Sequence, residues 1–91
     1  MSVDILIINN RIKNSVLDLV NDVLREARID DERIALTLAF RLARMHYYNE
    51  AKKVLREKFE RAREELLVLI VPISGRLSEE TRRKIEEMMR W

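Results

Sequence analysis

The stretch "RLARMHYYN", residues 41–49, gathers the side chains with the most chemical capacity in this chain. It holds the single histidine, His46, both tyrosines, Tyr47 and Tyr48, and two arginines, Arg41 and Arg44. Histidine titrates near neutral pH and can move protons. Arginine grips phosphate or carboxylate oxygens with paired N–H donors. Other chemistries are poorly supplied. With no cysteine there is no disulfide and no thiolate metal site, and one histidine leaves only carboxylates as further metal ligands, none of them at calcium-loop spacing. One glycine excludes a glycine-rich phosphate loop. No metal or cofactor is therefore expected. The plainer reading of His46 is a boundary residue beside two tyrosines that bury their rings and keep their hydroxyls wet.

Arg33, Thr37, Arg41, Arg44 and Tyr48 follow one another at helical spacing and form a polar stripe. Arg33, Arg41 and Arg44 are thus candidate nucleic-acid contacts, placed to meet a phosphate backbone. Ion pairing is the reading preferred here. Asp18, Asp22 and Glu26 form an acidic stripe one helix earlier, and an antiparallel neighbour would set them opposite the arginines. The net charge is only +2, from 18 basic and 16 acidic groups, and no segment forms the basic tail of a nonspecific nucleic-acid binder. The run Arg82-Arg83-Lys84 is short and sits among Glu79, Glu80, Glu86 and Glu87.

These residues need helices to hold them. The 91 residues suit one domain with one core, spanning 1–91, and a single glycine and a single proline leave few turns. Hydrophobic residues at 47% exclude intrinsic disorder. Ile5, Ile8, Ile12, Val16, Leu19, Val23 and Ala27 step by three and four, which predicts a helix from about 3 to 28 with a soft spot at Asn9–Asn10. "VDILII" also suits a short strand. Asp30 is the expected cap of the next helix, with Ile29 and Ile34 as a hydrophobic staple. Between residues 34 and 45 only Thr37, Arg41 and Arg44 are polar, so this segment is expected to be a central helix enclosed by protein or part of a dimer interface.

The apolar steps Ala51, Leu55, Phe59, Ala62, Leu66 and Leu69 extrapolate back to Tyr47, Ala43 and Phe40. That continuity predicts one helix over 31–70 with Asn49 as its bend point; the alternative is a second helix capped by Asn49. Pro72 and Gly75 end the element, a strand at 67–73 being the lesser reading. Ser78 caps a short last helix. The fold expected is all-α: a small helical bundle with a long first helix, a long central helix and a short C-terminal helix.

Arg41 and His46 resemble the R-x(4–6)-H motif of HEPN ribonucleases, small helical dimers, and the resemblance implies an arginine and a histidine acting on a scissile RNA phosphate. Leu42 departs from that pattern, where a polar residue usually follows the arginine. The ending "IEEMMRW" offers a different function. Ile85, Met88, Met89 and Trp91 are candidate partner-binding residues, since methionine adapts to varied surfaces and tryptophan anchors interfaces. The same helix could instead fold back over Leu66 and Leu69. In size, helicity and a thermophile-like Arg/Glu-rich composition, the chain resembles the small helical accessory subunits of archaeal replication and transcription machines, including that of the crenarchaeal B-family DNA polymerase. The expectation is a non-enzymatic accessory or scaffold subunit that binds a larger protein or itself. An antitoxin-like, nucleic-acid-binding dimer and a HEPN-like ribonuclease are the alternatives. With no 18-residue apolar run and no cleavable leader, no membrane partner is expected and a cytoplasmic location is.

Overall fold

The computed structural model describes residues 14–91, and the expectations for residues 3–13, helix or strand, lie outside them. The described residues form four α-helices, α1 (Asn14–Glu26), α2 (Glu32–Ala51), α3 (Arg56–Ile70) and α4 (Glu79–Met88), with a 3₁₀ turn over Val71–Arg76 between the last two. The all-α bundle is as the apolar spacing predicts.

The α1–α2 boundary is written in local hydrogen bonds. α1 ends with Arg28 in the left-handed region at φ 57°. The Ile29 N–H then reaches back to the Leu24 carbonyl at 2.9 Å and Arg28 N–H to Arg25 at 3.2 Å, the Schellman pattern usually built on glycine. Ile29 and Leu24 both pack on the core. The cap of α2 is Asp31, not Asp30: its carboxylate accepts from the N–H groups of Arg33 at 2.8 Å and Ile34 at 3.2 Å. This shift by one residue undoes the expected staple. Ile29 is used by the end of α1, and Ile34 stays 43% exposed.

Residues 31–70 do not form one helix. α2 stops at Ala51, where Lys52 turns left-handed at φ 52°, and α3 restarts after Leu55, which offers no side-chain cap. Asn49 lies inside α2 and neither bends it nor caps α3. Residues 67–70 are helical and Pro72 falls early in the 3₁₀ turn, where its missing N–H costs nothing, so the strand reading of 67–73 fails. Ser78 caps α4 as expected, accepting from Thr81 N–H at 3.2 Å.

α2 is central and packs on α1, α3 and α4. The start of α1 (Ser15, Leu19) shares a cleft with the end of α2 (His46, Asn49) and the end of α4 (Lys84, Glu87, Met88), so α1 runs antiparallel to both. Val20, Val23, Leu38, Leu42, Met45, Phe59 and Leu66 are fully buried between the helices. Burying side chains of this kind contributes about 1.5–3 kcal/mol each. No helix among the described residues is long and apolar enough to cross a membrane.

Candidate functional site

The arginine stripe of α2 faces α3, not α1. Arg44 Nη2 donates to the Glu65 carboxylate, and Arg41 Nη1 donates to the Glu65 backbone carbonyl at 2.8 Å. The Arg44 guanidinium holds the Glu65 carboxyl below its ordinary value of 4.5. Among the three stripe arginines Arg44 is the one in an ion pair with a carboxylate of the described residues, Arg41 being held by a backbone carbonyl, and the expected acidic partners on α1 are not the ones used. The cause is the break at Lys52, which folds α3 back antiparallel along that side of α2. Arg33 is exposed, near the α2 N-terminus.

The acidic stripe of α1 disperses. Asp22 pairs with Arg25 on its own helix at 2.9 Å, and Asp18 faces solvent. Glu26 reaches the start of α4 instead. Its Oε1 accepts from Ser78 N–H at 2.6 Å and its Oε2 from the Thr81 hydroxyl at 2.7 Å. These bonds, the Ser78 backbone first, lower the Glu26 pKa from 4.5. A carboxylate here also meets the positive end of the α4 dipole.

Arg41 and His46 do not converge. Both lie within the regular turns of α2, where five positions separate side chains by about 140°. Arg41 points to α3, while His46 opens into the cleft beside Ser15, Leu19 and Lys84. His46 Nε2 lies 3.3 Å from Glu50 Oε1, off the line a hydrogen bond needs. Within one chain this pair cannot grip one phosphate. Among the described residues no cluster of three or more potential ligands could hold a metal ion.

The C-terminal residues fold back. Ile85 is buried in the chain's own core and so lies off the surface where a partner would dock; Met88 and Met89 pack against the core's edge. Trp91 keeps 50% of its surface exposed and sets its ring edge-to-face on Phe59 at 5.0 Å. The sequence reading missed what holds this end. The Asn49 amide donates to the carbonyls of Arg90 at 2.8 Å, Met88 at 3.0 Å and Glu87 at 3.4 Å, and Arg63 donates to Met89 at 3.3 Å. Asn49 thus terminates α4 from across the bundle. Tyr48, Lys52, Phe59, Arg90 and Trp91 line the cavity of about 230 Å³ beside it.

The expected enclosure of residues 34–45 fails on one side. Ala35, Leu38, Ala39, Leu42 and Met45 face the core, but Phe40 is 49% exposed and Tyr47, two turns further on, is 68% exposed. Leu36 and Ala43 lie on the same side, half-buried. The four positions 36, 40, 43 and 47 fall within about 60° of each other around the helix and make an apolar outer stripe. The extrapolation that joined Phe40, Ala43 and Tyr47 to the Phe59 face does not hold, because the turn at Lys52 resets the phase. No protein-family model, no curated protein and no solved structure matches this chain.

Proposed function

We propose that this chain is a non-enzymatic helical binding module, an accessory or scaffold subunit that uses the outer face of α2 to dock protein. The observation that carries this reading is the exposure of Phe40 and Tyr47 on the helix that the other three pack around. A central helix usually turns all its large apolar side chains to the core. Here the core takes one face, and two aromatic rings remain on the other, with Leu36 and Ala43 completing the stripe. Exposed aromatics at i, i+7 spacing are the anchors that helix-to-helix docking uses. Divergence of Arg41 and His46 supports the non-enzymatic part of the reading. The ion pair of Arg44 with Glu65 takes one of the three arginines from the phosphate-ridge alternative, and Arg41 spends a donor on the Glu65 backbone carbonyl. The finer reading, a subunit of an archaeal nucleic-acid machine such as a B-family DNA polymerase, belongs to this proposal as well, supported only by size, helicity and composition.

The test is a photo-cross-linking amino acid placed at position 40, with a control at the exposed Arg83 of α4. The module reading expects a protein adduct from position 40 and none from position 83, whether the captured protein is a larger partner or another copy of this chain. Equal labelling from both positions, or none from position 40, overturns it.

A further inference from the structure

We propose that the cavity between the ends of α2 and α4 binds a small aromatic acid, a planar ring system carrying a carboxylate. This site is separate from the docking face of α2 and does not depend on it. Tyr48, Asn49, Lys52, Phe59, Arg90 and Trp91 line the cavity. Three of these are aromatic, two are cationic, one is an amide and none is acidic. The volume of about 230 Å³ exceeds the roughly 150 Å³ of an apolar protein cavity that takes up benzene. Two fused rings therefore fit, with a carboxylate at the mouth. A mostly apolar pocket with a few convergent polar groups is the form that small-molecule sites take.

The walls are set by the chain's own hydrogen bonds. The Asn49 amide grips the carbonyls of Met88 and Arg90, and Arg63 grips that of Met89, so the C-terminal turn is fixed against Phe59. Trp91 packs on Phe59 and still leaves half its surface open, apolar area that a bound ring would cover. The left-handed turn at Lys52, whose N–H bonds the Tyr48 carbonyl at 3.2 Å, keeps that lysine beside the cavity. Among the described residues neither Lys52 nor Arg90 is ion-paired. Charge then decides the class of ligand. The C-terminal ends of α2 and α4 lie beside the cavity, each equivalent to about half a negative charge. Lys52, Arg90 and the adjoining Arg63 are three cations, and the α4 carbonyls are already occupied by Asn49 and Arg63. The balance is about +2, or about +1 with a main-chain carboxylate on Trp91 counted. An anion is favoured over a neutral ring. A cation is repelled, although the rings alone would accept one.

Nuclear magnetic resonance titration of the isotope-labelled full chain tests this with three probes that share one ring system: indole-3-acetate, the neutral tryptophol and the cationic tryptamine. The acid should shift the Trp91 indole N–H and the Lys52 and Arg90 amides along one saturating curve, with Kd about 1 mM for a ligand of this size. Tryptophol should bind about five- to twentyfold more weakly, and tryptamine should not saturate by about 20 mM. Lys52→Gln and Arg90→Gln should each weaken the acid about two- to fivefold and leave tryptophol unchanged, whereas Trp91→Ala should weaken both. No saturating shift at the three groups up to about 20 mM overturns the site, and so do shifts spread evenly over all the helices. Tryptophol binding as tightly as the acid overturns the preference for a carboxylate, and tryptamine binding more tightly reverses its sign. Lys52 and Arg90 are exposed, so their variants keep the question answerable if Trp91→Ala fails to fold.

Discussion

Replacing Glu26 with alanine removes the clamp that joins the end of α1 to the start of α4 across 52 residues of sequence. Two charge-assisted hydrogen bonds are lost, to the Ser78 N–H and the Thr81 hydroxyl. Such bonds are worth about 1.5–3 kcal/mol each where solvent is excluded. Here the carboxylate side chain is 16% exposed and water can rehydrate the Ser78 N–H, so the sum must be discounted. Thr81 is 3% exposed; it still accepts from the Ser78 hydroxyl but loses the acceptor for its own proton. The expected loss is about 2 kcal/mol in all. For a domain of this size that lowers Tm by about 8–16 °C. Glu26→Gln keeps an acceptor oxygen and should cost about half as much. The pH dependence follows from the lowered carboxyl pKa. The clamp contributes fully above the ordinary value of 4.5 and loses its contribution as pH falls through the lower folded value. Thermal denaturation from pH 7 down to pH 3 should therefore show a smaller acid loss for E26Q than for wild type. If E26A unfolds within about 0.5 kcal/mol of wild type at pH 7, the clamp does not hold α4.

Other outcomes follow from the caps. Arg28→Gly should stabilise the chain by up to about 1 kcal/mol in chemical denaturation, since glycine takes the left-handed Schellman position without the Cβ conflict. Asn49→Ala should cost about 1–3 kcal/mol and shift Trp91 fluorescence to the red, because the carbonyls it binds hold the C-terminal turn against Phe59. Arg44→Met removes the ion pair with Glu65 and should leave the unfolding midpoint at pH 7 close to that of wild type, both side chains being some two-fifths exposed and screened by solvent. That variant should also narrow the stability difference between pH 7 and pH 3, since the guanidinium that lowers the Glu65 pKa is gone.

The parts of the fold legible in the sequence are those set by neighbours in the chain. Ser78 followed by Glu79 and Glu80 reads as a helix start and is one, because the cap bond spans three residues. The core residues of α1 follow from their three- and four-residue steps. The break after Ala51 is not legible, since the left-handed position falls on Lys52, not on a glycine, and α3 opens without a capping side chain. Missing that break put Phe40 and Tyr47 on the wrong face. Asp30 and Asp31 are chemically equal as caps, and only the backbone at Asp31 separates them. The roles of Glu26 and Asn49 lie beyond pattern reading altogether. Each side chain caps a helix distant in sequence, and no spacing rule connects residue 26 to 78 or 49 to 90.

Recognition of protein by the outer face of α2 is the claim on which the functional reading depends. The measurement closest to it compares tagged wild type with the tagged double variant Phe40→Lys/Tyr47→Lys as baits in extract of the source cell, after circular dichroism has shown both to be folded. A defined protein, another copy of this chain included, is expected to be retained by the wild type and lost from the variant. If both baits retain the same proteins in the same amounts, the exposed rings of α2 are not a docking surface.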